Sequence, residues 1–262
     1  PLSLSSFTGR HLATMSNAAP LNASSVEAMT DALHAALFPP GGTDDTRALP
    51  REEAIGLFRR HLSRYQAHVR EAFEHHHLGG AEAGKLLAAY TDGMIRVLGE
   101  FAMREAGIDS QPEAPFAVAA TGGYGRGLLA PFSDIDLLFL TADTQAEDVR
   151  ACVEYILYFL WDLGLKVGHA TRTINECIAE AEADTTVRTP LLDARVLTGS
   201  ETLFSMFQAR YIVACVRAGA DRFITDKRKE RAARHQRFGD SPYLVEPNIK
   251  EGRGGLRDLQ TL

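Results

Sequence analysis

Apolar residues recur three or four positions apart in two early stretches of the chain. Ile55, Phe58, Leu62, Tyr65, Val69 and Phe73 make one stripe, and Leu87, Tyr90, Met94, Val97 and Phe101 a second. That rhythm is the 3.6-residue turn of an amphipathic helix, so both stretches are predicted to be helical. After the breaker-rich GIDSQPEAP the period changes. Phe116 to Ala120 is a short apolar run expected of a buried strand, and a second strand is expected from Asp134 to Leu140. Val149, Val153, Ile156, Leu160 and Leu163 mark a helix ending near Gly164. LKVGHATRT (Leu165 to Thr173) and LLDARVL (Leu191 to Leu197) predict a third and a fourth strand. The rest is expected to be helical, with a basic segment from Asp226 to Arg237. Residues 1–30, rich in Ser, Ala and Asn, read as a loose arm, and FPPGGTDDTRALP (Phe38 to Pro50) as a turn-rich connector. The order is helices, a mixed β-α-β core, then helices: an α+β fold. The divisions expected are 1–50, 51–110, 111–200 for the core, and 201–262.

Composition narrows the function classes. Of 262 residues, 45% are hydrophobic and 24% charged, as in an ordinary globular chain. A net charge of −6 argues against charge-driven binding of nucleic acid. No apolar run approaches a membrane span, and the N-terminus lacks the pattern of a signal peptide. Cys152, Cys177 and Cys215 are widely spaced, odd in number and in no metal-type spacing, which predicts a reduced, cytoplasmic protein. The chain opens with proline and closes inside an apparent helix, as expected of part of a longer protein.

The chemistry concentrates in ATGGYGRGLLAPFSDIDLLFL, Ala120 to Leu140. Charge inside an apolar strand is costly unless compensated. Residues i and i+2 of a strand share a face, so Asp134 and Asp136 are expected to point together, with Ile135 toward the core. Two such carboxylates repel, raising one pKa unless a cation stands between them. Magnesium, a hard ion that takes oxygen ligands and accompanies phosphates, suits them. Gly122, Gly123, Gly125 and Gly127 let the backbone approach a ligand and expose N–H groups at a turn entering a helix, where phosphate is favoured. Ser133 adds a hydroxyl. The segment is no Walker motif, since no Gly-Lys-Ser/Thr follows. Together these residues point to a metal–triphosphate complex and nucleotidyl transfer.

These motifs resemble the nucleotidyltransferase superfamily that includes DNA polymerase β, whose hallmark is a Gly-Gly or Gly-Ser turn followed by Asp-x-Asp/Glu. More narrowly, GGYGRG, PFSDIDLLFL, LLDARVLTG and YLVEPNIKEGRGGLRDLQTL resemble the bacterial PII-protein uridylyltransferase/uridylyl-removing family. The resemblance implies a polymerase β-like core flanked by helical segments, and transfer of UMP from UTP to a tyrosine of the PII signal protein. It implies that Gly122 and Gly123 hold the triphosphate and that Asp134 and Asp136 hold Mg2+. Arg126 and Ser133 are expected at the nucleotide; Lys250 and Arg257, beside the turn glycines Gly252, Gly254 and Gly255, are expected either to reach it or to belong to a motif that packs the helical part on the core. The family continues with an HD-type hydrolase domain and two ACT domains; this chain has no His-Asp dipeptide, so uridylyl removal is not expected of it. Many superfamily members carry a third carboxylate on the strand after the helix, which LKVGHATRT lacks; His169 and Asp193 are the nearest candidates. The alternatives are a related transferase with another acceptor and a catalytically silent nucleotide-binding module.

Two further features invite simpler readings. His75, His76 and His77 project in three directions from a helix and fit a solvated helix end better than a metal site. The basic run from Arg222 to Arg237 is expected to be a solvated face or a contact for acidic groups.

Overall fold

The computed structural model describes residues 21–39, 49–108, 114–238, 246 and 248–260. Both helical stripes fold as their spacing predicts. Helix α2 (Arg51–Glu74) begins after Pro50 with Glu52 and Glu53 in its first turn, where the helix dipole favours negative charge. It packs on α3 (Gly80–Glu105), where Tyr65 stacks on Tyr90 at 4.1 Å between ring centroids and donates its hydroxyl to the Leu86 carbonyl. His75 caps the end of α2, and His75, His76 and His77 are all exposed.

The loose arm expected over residues 1–30 is corrected from Ala23 on, and residues 1–20 lie outside the described residues. Ala23–Leu37 is a helix, α1, opened by a reciprocal cap between Asn22 and Ser25 and docked on α3. Its buried Val26, Leu33 and Leu37 are too sparse among alanines to produce a clear period. Most of the expected connector, residues 40–48, is outside the described residues.

Four strands form one sheet in the order β3-β2-β1-β4. Strand β1 (Phe116–Ala120) lies antiparallel to β2 (Ile135–Thr141), and β3 (Val167–Arg172) parallel to β2. Helix α5 (Glu147–Asp162) makes the crossover that a parallel pair requires. Strand β4 (Arg195–Gly199) pairs antiparallel with β1. Phe116, Val118, Ala120, Ile135, Leu137 and Phe139 enter the larger core with α1, α2, α3 and α5. Ala117, Ala119, Leu138 and Leu140 enter a smaller core on the other face.

That second face is covered by helices the apolar pattern does not announce. After the short α4 (Gly122–Gly125), these are α6 (Ile174–Ala183), capped by Thr173 and Glu176, and α7 (Thr185–Leu192), capped by Asp184. Helix α8 (Glu201–Tyr211) follows and runs into a π-helix at Ile212–Arg217, then α9 (Ala220–Phe238) and a short α10 (Leu256–Leu259). The strand expected at 191–197 is therefore corrected. Leu191 and Leu192 finish α7, Asp193 is its C-cap, and pairing starts only at Arg195. Two leucines beside a short alternating run suit a helix end as well as a strand.

Candidate active site

Strand β1 delivers the chain into α4, and the backbone N–H of Thr121 donates to the Asp136 carbonyl at 3.0 Å, tying the glycine turn to β2. Gly122 has φ +56°, a left-handed conformation that L side chains rarely adopt. A Cβ at Gly125 would stand 2.3 Å from the Asp193 carbonyl oxygen, so backbone meets backbone there.

The turn is braced from behind by residues the sequence reading passed over. Arg195 forks onto Asp92 of α3, Nη1 to Oδ2 at 2.6 Å and Nη2 to Oδ1 at 2.9 Å. The same guanidinium donates to the carbonyls of Gly125 at 3.0 Å and Tyr124 at 3.2 Å, and the Tyr124 hydroxyl donates to Asp92 at 2.6 Å. One ion pair thus holds a helix, a strand and the turn together. The available signal was Asp92 itself, an acid between buried neighbours in the α3 stripe. Arg195→Met strips these acceptors of their donor and is expected to cost about 2 kcal/mol of stability, measured by urea denaturation.

Strand pairing begins at Ile135, one residue later than predicted, so Asp134 ends the preceding loop and is exposed, whereas Asp136 is half-buried on the strand. Burial and the neighbouring Asp134 carboxylate push the Asp136 pKa up, while the charge of Lys250 opposes them. The predicted repulsion therefore falls on Asp136. Its carboxylate lies between two glycines. A Cβ at Gly122 would sit 3.3 Å from Oδ2, and one at Gly168, its partner across the parallel ladder, 2.5 Å from Oδ1. Beside it opens a cavity of about 220 Å3, bounded by Thr121, Gly168, Val187, Pro190 and Leu191.

Two acids with one charge partly desolvated suit a cation bound through oxygen, so the donor set fits Mg2+ completed by phosphate and water. Among the described residues, no group of three or more His, Cys, Asp or Glu converges as a metal site.

The remaining candidates fall in distinct places. Ser133 is exposed beside Asp134. Gly123 lies within α4, and Arg126 at its end pairs with Asp193 at 2.7 Å, so these two candidates meet each other. His169 pairs with Leu137 in the ladder and therefore points to the face opposite Asp136, where its ring meets Trp161 at 5.9 Å. On Asp136's own face β3 presents Gly168, Ala170 and Arg172, and Arg172 pairs with Glu180. Strand β3 thus brings no acid to Asp136. Arg257 forms an ion pair with Glu251 at 3.3 Å. Much of the basic run is neutralised along α9, by Asp226 for Arg222 and Lys229 and by Glu230 for Lys227.

Phe132, two residues before Asp134, has φ +65° and is 87% exposed. A bulky side chain in the left-handed region costs roughly 1–2 kcal/mol. Phe132→Asn, which tolerates that region, is expected to stabilise the fold by about 1 kcal/mol, read as a higher unfolding midpoint.

Comparison with known proteins bears on the family. Residues 108–196 match the family described as "Nucleotidyltransferase domain", and residues 222–262 the family described as "GlnD PII-uridylyltransferase". The bifunctional uridylyltransferase/uridylyl-removing enzyme of Gluconobacter oxydans is 49% identical over 219 residues, covering 81% of this chain and 22% of that protein. Those of Phenylobacterium zucineum and Azospirillum brasilense are each 44% identical over 214 residues, covering 81% of this chain and 23% of the relative. The chain thus spans less than a quarter of the length of these curated relatives. Among solved structures, a toxin–antitoxin complex with AMP-PNP covers 54% of the chain at 19% identity and a TM-score of 0.25, too slight a likeness to argue from. Fold and motif define a nucleotidyltransferase with a polymerase β-like core. Within that superfamily, the chain is similar over 81% of its length to part of the bifunctional uridylyltransferase/uridylyl-removing enzymes.

Proposed function

We propose that this chain transfers UMP from UTP to a tyrosine of a PII signal protein, with Mg2+, releasing pyrophosphate. The observation that carries the reading is the half-buried Asp136 beside Asp134, set against the glycine turn and an open cavity. Asp134 and Asp136 would hold the metal, which polarises the phosphate and steadies the departing pyrophosphate. Gly122 and Gly123 bring backbone close to the triphosphate, and Ser133 adds a donor beside Asp134. Lys250 offsets phosphate charge, whereas Arg126 and Arg257 reach the nucleotide only by exchanging Asp193 and Glu251 for phosphate. The tyrosine hydroxyl gives up its proton to solvent, its oxygen bonds to the α-phosphorus as the bond from that phosphorus to the bridging oxygen breaks, and pyrophosphate leaves. The apolar wall of Val187, Pro190 and Leu191 offers a surface for the uracil or ribose. Residues 111–200 form the transferase core in this account, with 201–262 as its helical complement. Asp193 and His169 take no part in metal binding here, because one faces Arg126 and the other the far side of the sheet. No helix among the described residues is long and apolar enough to cross a membrane.

The test is to incubate the chain with Mg2+, a PII protein and each ribonucleoside triphosphate in turn, and to weigh the PII protein by intact mass spectrometry. One added UMP with UTP, lost when EDTA removes the metal, supports the proposal. Addition from another nucleotide overturns the UTP assignment. An unmodified PII protein overturns the acceptor.

A further inference from the structure

Helix α7 forms one wall of the cavity beside Asp136, through Val187, Pro190 and Leu191, positions i, i+3 and i+4 that share a helix face. It also reaches the glycine turn, where a Cβ at Gly122 would stand 3.7 Å from the Pro190 Cβ. Arg188 leaves the same helix and is only 6% exposed. Its guanidinium donates to the Cys215 carbonyl in the π-helix and lies over the Phe223 ring of α9, 4.5 Å from the centroid. A Cβ at Gly219, between those two elements, would stand 2.9 and 3.0 Å from the terminal nitrogens, so the backbone passes close over the group. The Tyr211 hydroxyl, at the end of α8, donates to the Arg188 carbonyl at 2.6 Å and ties α7 by its main chain as well.

Burying such a group is unfavourable. Among the described residues, no carboxylate pairs with Arg188, and its Nε has no hydrogen-bond partner. A buried cation without an anion costs free energy that an apolar side chain would not. What the arginine supplies instead is reach and shape: a rigid planar fork that bonds a carbonyl while stacking on an aromatic face. Both contacts are made to the segment that follows the sheet, at Cys215 and Phe223. A π-helical turn is rare and recurs at functional positions, and here it presents the Cys215 carbonyl to Arg188.

We infer that Arg188, clamped between the π-helix and Phe223 of α9, is a positioning residue that holds the α7 wall against which the base or ribose of the bound nucleotide rests. The inference deepens the reading of the site given above and rests on it. The glycine turn has its own brace in Arg195 and Asp92, so loss of the clamp is expected to move the wall and spare the turn.

Calorimetric binding of two probes, Mg·UTP and Mg·tripolyphosphate, separates positioning from mere folding. Both probes need the acids and the glycine turn, but only UTP needs the wall. Arg188→Met is expected to weaken Mg·UTP about tenfold, the scale of one lost fit in an apolar pocket, and to leave Mg·tripolyphosphate within about twofold. Arg188→Lys, which keeps the charge but not the planar fork, is expected to behave like Arg188→Met. Phe223→Leu, which removes only the ring, gives a smaller loss in the same direction and serves if the arginine variants do not fold. Phe223→Tyr keeps the ring and is expected to bind both probes as the unaltered chain does. Equal losses for the two probes, or unchanged Mg·UTP binding in every variant, overturn the inference and leave the site reading standing. If the unaltered chain binds neither probe, the site reading itself fails and the inference falls with it.

Discussion

Asp136→Asn is expected to abolish transfer and, at the same time, to make the protein more stable. A bound metal supplies several kcal/mol of charge stabilisation in the transition state. Losing one of its two ligands should therefore lower the rate on the order of 10³-fold or more. The stability effect has the opposite sign. Burial and Asp134 raise the Asp136 pKa in the fold, so the folded state prefers the neutral acid. Such a group supports the fold below its unfolded pKa and opposes it as pH rises through the folded value, so at neutral pH the ionised carboxylate destabilises. Asparagine removes that charge. The unfolding midpoint of Asp136→Asn at pH 7 should exceed that of the unaltered chain by about 2–4 °C, and the gap should shrink as pH falls toward 4. Thermal melts at the two pH values check the sign. Mg·UTP should reverse the order, since a ligand stabilises only the protein that binds it.

Gly168→Ala should silence the enzyme while leaving the fold nearly intact. The new Cβ would meet Asp136 Oδ1 at 2.5 Å, and that oxygen ends a side chain free to turn aside. Rotation of the carboxylate spares the backbone but moves a metal ligand. A misplacement near 1 Å costs about 10²-fold in rate. Steady-state transfer assays beside melting curves separate this outcome from Gly125→Ala, whose Cβ would strike the Asp193 carbonyl and destabilise the turn itself.

The contrast between Gly168 and His169 shows what the sequence made legible. LKVGHATRT was readable as a strand, but a lone strand does not declare its register. The imidazole, chemically the more eloquent neighbour, faces Trp161, while the silent glycine faces the Asp136 carboxylate. Asp134 and Asp136 stood out because charge is rare at the head of an apolar run; Asp136 lies on the strand, whereas Asp134 ends the loop before it. Arg195 and Asp92 were hidden for the opposite reason. Each is an ordinary charged residue, and 103 positions separate them. Only the folded chain shows their shared grip on the glycine turn. Helix α1 escaped notice because its buried side chains are few and its cap is Asn with Ser rather than the Ser/Thr with Glu/Gln of the usual capping-box signature. The wrong strand at Leu191 arose where a helix end and a strand start meet within four residues.

On the proposed reading, Asp134 and Asp136 hold a divalent metal together with a nucleoside triphosphate. Electron paramagnetic resonance of Mn2+, which replaces Mg2+ at oxygen sites, tests it directly. In the presence of UTP, one manganese ion is expected to bind tightly to the unaltered chain and none to bind tightly to Asp136→Asn. Equal binding by both proteins, or no binding by either, would contradict it.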